Sequence, residues 1–202
     1  MNIAPQWPGH LLLMRTVQNI LMRISFLLSM IVLVQCRQSE KPTEFWIKSE
    51  QQPLLIKLKE GKVNYIRCYN LDSLTSEWPL RYPVFKFING GDINQDGNED
   101  LMVGVIKATR RDSIARKRLF LFQIKNKIII PLWLGSSVSH PLEDFISYKN
   151  DSVTTIRTIE KEGNDRYLVA DYTWRDFGLN FEKYIKRDLT LDKAGKIMNQ
   201  LN

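Results

Sequence analysis

Apolar and polar residues alternate with a period of two along most of the chain, the pattern of half-buried β-strands. In "LLIKLKEGKVNYIRCY", Leu54, Ile56 and Leu58 alternate with lysines up to a turn at Glu60-Gly61, and a second strand follows. "RLFLFQIKNKIIIPLWL" predicts a hairpin turning at Lys125-Asn126-Lys127, and "FISYKNDSVTTIRTIE" one turning at Asn150-Asp151. "TIEKEGNDRYLVADYTW" turns at Gly163-Asn164, and Leu168, Ala170, Tyr172 and Trp174 share one face of its return strand. A last strand near Phe181–Arg187 precedes a polar tail that ends in a short helix. About ten strands at this spacing predict an all-β fold, with antiparallel strands in a propeller-like or sandwich arrangement. "TRRDSIARKR" (109–118) reads either as a helix or as a long charged loop.

The pattern breaks at the N-terminus. "ISFLLSMIVLV" (24–34) is an apolar run of 11 residues, where a membrane-spanning helix needs about 20. Behind Arg15 and Arg23 it has the proportions of a signal peptide covering 1–35, with Met14 as an alternative start. "LVQC", Leu33 to Cys36, is similar to the lipobox of bacterial lipoproteins. That resemblance implies a lipid on Cys36, anchorage in the cell envelope, and a polar tether over 36–52 ahead of a β-domain at 53–202. Gln35 departs from the small residue usual before the cysteine. An ordinary signal peptide with a chance cysteine, or an uncleaved anchor, stays open. Cys68 is then the one cysteine of the domain, so no disulfide forms within it. Its apolar setting suits a small buried hydrophobe.

Between two strand patterns lies "GDINQDGNED" (91–100), with oxygen-bearing side chains at alternate positions. Counting from Asp92, donors fall at position 1 (Asp92), 3 (Asn94), 5 (Asp96), 7 (Asn98, through its carbonyl) and 9 (Asp100), with Gly97 at the turn. Hard oxygens so spaced, three of them carboxylates, suit calcium. Position 12 is Val103 and a strand pattern follows, which excludes an EF-hand. Residues 87–106 resemble the calcium loops of FG-GAP (VCBS-like) repeats, whose blades build integrin-type β-propellers. The resemblance implies a strand–calcium loop–strand unit with Asp92, Asn94, Asp96, Asn98 and Asp100 on the ion. The alternative is a metal-free turn built by Asp, Asn and Gly.

Charge changes this picture little. The chain of 202 residues carries a net +7, reduced to +5 beyond residue 35. That excess is too small to imply nucleic acid, which is not an expected partner. The basic cluster Arg110, Arg111, Arg116, Lys117 and Arg118 is either a solvated loop or a phosphate contact. His140, near Ser136, Ser137, Ser139, Glu143 and Asp144, admits a hydrolase on paper, without a nucleophile-elbow motif. Trp133, Trp174, Phe177 and Tyr184, with Asp171 and Asp176, admit a carbohydrate-stacking surface or a plain core. "DSL" (72–74), "DSI" (112–114) and "DSV" (151–153) resemble the O-glycosylation sequon of exported Bacteroidota proteins. Together these features lead to an envelope lipoprotein whose calcium-stabilised β-domain serves binding or assembly. The alternatives are a lipid-anchored hydrolase using His140 and a carbohydrate-binding module using Trp174. The protein or glycan partner is left unassigned.

Overall fold

The structure, a computed structural model, describes residues 43–49, 52–110, 112–135 and 137–200. The signal segment, Cys36, Arg111 and Ser136 lie outside the described residues. Among the described residues the chain forms twelve strands and one short helix. The strands are β1 (Glu44–Ile47), β2 (Leu54–Lys59), β3 (Asn64–Asn70), β4 (Ser73–Leu80), β5 (Val84–Gly91) and β6 (Asp100–Lys107). They continue as β7 (Arg116–Lys125), β8 (Ile128–Leu134), β9 (Leu142–Asn150), β10 (Val153–Gly163), β11 (Arg166–Arg175) and β12 (Gly178–Leu189), and α1 (Leu191–Met198) follows.

Each strand pairs antiparallel with its neighbour in sequence, giving three successive four-stranded sheets: β1 to β4, β5 to β8 and β9 to β12. Tight turns make this possible. Asn126 and Lys127 join β7 to β8 with φ of 53° and 65°, and Asp151, Asp165 and Asp176 take similar left-handed angles in the later hairpins.

The middle sheet is apolar on both faces because it is buried on both. Leu101, Val103, Val105, Phe120 and Phe122 meet Ile47, Leu54, Ile56, Ile66 and Leu80 of the first sheet. Met102, Leu119 and Leu121 meet Phe145, Ile156, Leu168, Ala170 and Tyr172 of the third. This accounts for the unbroken runs "LMVGV" and "LFLF", where β2 alternates. Gly104 is required by this packing: a Cβ there would stand 2.6 Å from the Phe85 ring tip.

The outer faces are closed differently. On the third sheet, Ile159 and Val169 are covered by Leu189 and by Ala194 and Met198 of α1. On the first, Lys57 pairs with Glu44 and Arg67 with Glu77, while the same two cations lie over Tyr69 and Tyr65. Cys68 is wholly buried in the first core, where burial pushes its thiol up.

The all-β expectation holds, as does the short C-terminal helix. Two details differ. Residues 44–47, expected in the tether, form β1 against β2. Ser73–Leu80 adds a strand, β4, that the pattern did not announce. Of the two readings of 109–118, the described residues follow the loop, with 116–118 already in β7.

Candidate functional site

The loop between β5 and β6 is built by side chains that catch backbone N–H groups. Gly91, Gln95 and Gly97 have φ of 70°, 61° and 88°, which coils the segment tightly. Gly97 suits its position because a side chain is strained there. Asp92 accepts the N–H groups of Asp96 and Gly97, both at 3.0 Å, through its two oxygens. Asn94 Oδ1 accepts Asp96 N–H at 3.1 Å, and Asp96 Oδ1 accepts Asn98 N–H at 2.9 Å. The Asn94 amide donates to Asp96 at 3.3 Å and to Gln123 of β7 at 3.2 Å.

Asp100 is the buried member of the set. It is 0 % exposed. Its Oδ2 accepts the N–H groups of Ile93 (2.9 Å) and Asn94 (3.3 Å), while its Oδ1 is buried without a hydrogen-bond partner. Burial, with the Asp96 and Asp92 charges adding to it, pushes the carboxyl up to about 7 against the pull of those two N–H groups.

Two anchors fix the loop to the sheets. Ile93, wholly buried, plugs the core between the second and third sheets. The Glu99 carboxylate accepts the Asn89 amide and Lys48 N–H, both at 2.7 Å, beside the end of β1.

Turn chemistry is sufficient for Asp92, Asn94 and Asp96, each of which caps a neighbour's N–H. It does not account for Asp100 Oδ1, a buried acceptor among like charges. A carboxylate oxygen has lone pairs to spare after accepting one N–H, so Asp92 and Asp96 keep capacity for a cation. As placed, no group of three or more His, Cys, Asp or Glu side chains among the described residues converges as a metal cage. The donor chemistry therefore fits a hard cation, with a closer approach of the carboxylates needed to hold it.

The remaining candidates are dispersed. His140 is neighboured by neither of the acids adjacent in sequence: Glu143 pairs with Lys117 and Asp144 with Lys86. The acid beside it is Glu160 on β10, fully buried, whose Oε2 is 3.6 Å from His140 Nδ1 and accepts His140 N–H at 2.7 Å. The Ser139 hydroxyl lies 2.8 Å from that of Tyr172, which also donates to Glu160. Sequence reasoning missed Gln123 and Glu160, each a polar residue within a largely buried strand.

Trp133 and Trp174 both pack partly buried against the second core but line separate hollows, and Phe177 is 93 % exposed at a turn. They do not form one stacking platform. Trp174 borders a groove of about 580 Å³ that also takes in Gln95 of the loop. Asp171 is held by Arg157 at 2.7 Å. Ser73, Ser113 and Ser152 of the three sequon-like triplets are all exposed. No helix among the described residues is long and apolar enough to cross a membrane.

Compared with models of protein families, with curated proteins and with solved structures, the chain matches none.

Proposed function

We propose that this protein is an envelope lipoprotein, anchored through Cys36, whose β-domain is strapped by one calcium ion and serves as a binding or assembly module. Asp92, Asn94, Asp96, the Asn98 carbonyl and Asp100 would hold the ion. Its role is structural: it offsets most of the charge of three carboxylates and fixes the loop to the middle sheet. The observation that carries this reading is the buried, unpartnered Oδ1 of Asp100 among the Asp92 and Asp96 charges. A cation is the partner such an atom lacks.

The architecture supports the finer part of the reading. The loop joins two adjacent antiparallel strands, as the FG-GAP resemblance implies. β5, the first strand of its sheet, also contacts the first strands of the other two, β1 and β9. These contacts support the propeller-like reading, in which each sheet would take the place of a blade. The membrane anchor and the envelope location rest on the sequence alone.

A thermal melt of the chain with calcium, with chelator, and with Asp96→Ala tests the proposal. Affinities of extracellular calcium modules run about 10⁻⁴–10⁻³ M. At about 100 times the dissociation constant, calcium adds about 2.7 kcal/mol. The midpoint is expected to rise by roughly 5–11 °C, and not in Asp96→Ala. Equal midpoints with calcium and chelator would return the loop to a polar turn.

A further inference from the structure

Two arginines are buried among the described residues, and they are satisfied very differently. Arg157, with a side chain 7 % exposed, gives Nε and Nη2 to Asp171 at 2.7 and 3.0 Å. Its Nη2 also reaches the Tyr148 hydroxyl at 3.0 Å, and its Nη1 the Gln200 carbonyl at 2.9 Å. Every side of that guanidinium is engaged. Arg118, with a side chain 8 % exposed, is hydrogen-bonded to only two acceptors among the described residues: Asp112 Oδ2 at 2.9 Å and Ser137 Oγ at 3.3 Å. A guanidinium has five N–H donors, and the Nε of Arg118 is buried with no partner.

The charge around it is also incomplete. Asp112 Oδ2 accepts Arg116 Nε as well, at 2.9 Å, so two guanidiniums share one carboxylate. Lys117 is already paired with Glu143. Among Arg116, Arg118 and Asp112 one positive charge is left over, held on and beside a buried arginine.

Arg118 lines a cleft of about 240 Å³ whose other walls include Trp133, Val138, Leu142 and His140. His140 Nδ1 is also buried without a hydrogen bond, with the Glu160 carboxylate 3.6 Å away. Buried side-chain atoms lacking a partner among the described residues are Asp100 Oδ1, Arg118 Nε and His140 Nδ1. The first belongs to the loop. The other two belong to residues of this one cleft, on elements separate from the loop.

We infer that this cleft binds a small amphipathic oxyanion, its carboxylate or phosphate group held by Arg118 and Arg116 and its apolar body set against Trp133, Val138 and Leu142. A monoanion matches the single uncompensated charge, and arginine's fork suits a planar or tetrahedral oxyanion. The volume limits the body to one ring or a short chain. A few polar groups at one end of an apolar cleft is the usual construction of a small-molecule site. The inference does not depend on calcium and survives if the loop proves metal-free.

The test is ligand-observed NMR and calorimetry on the full chain in detergent, with benzoate and phenyl phosphate as probes and inorganic phosphate as comparison. Benzoate or phenyl phosphate is expected to bind with a dissociation constant on the order of 1 mM. Benzoate alone would assign a carboxylate ligand and phenyl phosphate alone a phosphate ester. Arg118→Gln should weaken binding about tenfold or more. Because Arg118 is buried, Arg116→Gln, at a less buried position, carries the test if Arg118→Gln does not fold. It should weaken binding severalfold. No binding of either aromatic probe at concentrations on the order of 10 mM would overturn the inference. Binding unchanged in Arg116→Gln would do the same. Inorganic phosphate binding as tightly as phenyl phosphate would overturn the apolar half of the site.

Discussion

A carboxylate removed from water resists ionisation, and Asp100 sits fully buried beside Asp92 and Asp96 with its carboxyl pushed up to about 7. The unfolded chain releases that proton near the ordinary value of 3.8. Between those values the folded state holds a proton that the unfolded state has lost. Its stabilising effect is complete below about 4 and disappears as pH rises through about 7. The metal-free protein is therefore expected to lose stability over that interval, measured as a falling urea midpoint. Calcium needs the ionised form. Its affinity should weaken by about tenfold per pH unit below 7 and level off above it, read by calorimetry. A pH-independent affinity would remove Asp100 from the ion's shell. Asp100→Asn separates the two roles. It deletes the buried charge and places an amide N–H where the unpartnered oxygen was. At pH 8 the metal-free variant should be more stable by roughly 2 kcal/mol, or about 4–8 °C, while its response to calcium vanishes.

At the scale of the element, β6 shows how closely the middle sheet is fitted. Gly104 lets the Phe85 ring lie against the strand, and a methyl group there would stand 2.6 Å from Cζ. Gly104→Ala should cost about 1–3 kcal/mol by overpacking. Phe85→Leu in the same chain should recover much of that loss, because the clash is with the ring tip. Equal costs in the presence and absence of the ring would place the strain in the backbone instead. The elements themselves were legible in the sequence to unequal degrees. β2, β3 and β7 to β11 carry apolar alternation or unbroken apolar runs closed by turn residues. β1 and β4 are the edge strands of the first sheet, and β4 buries only Leu80. A strand that buries one residue leaves almost no period to read. The loop was legible because its donors are local, spaced within nine positions. Gln123 was not, because sheet pairing alone brings β7 beside the loop. Glu160 was hidden likewise, reaching His140 only through the pairing of β10 with β9.

For the whole described domain, the middle sheet is shared by two cores, so neither outer sheet has a core of its own on that side. The stack ends in a helix-covered face and in a face where two ion pairs stand beside a cross-strand row of Trp46, Leu55, Tyr69 and Leu74. The loop between β5 and β6 belongs to this shared sheet. Through Ile93 it enters the core facing the third sheet, and through Glu99 it holds Lys48 beside the first. A strap placed there should stabilise all three sheets as one cooperative unit rather than the loop alone. Hydrogen exchange with and without chelator measures this. In β2, β3, β10 and β11, as well as β5 and β6, protection is expected to fall by the same free energy, equal to the calcium increment in the melt. β12 is an edge strand with most of its residues at the surface, and amides that open there by local fraying should not respond. Protection lost only over 84–107 would mean that calcium orders a local hairpin, and the three sheets would then owe their cohesion to the two cores alone.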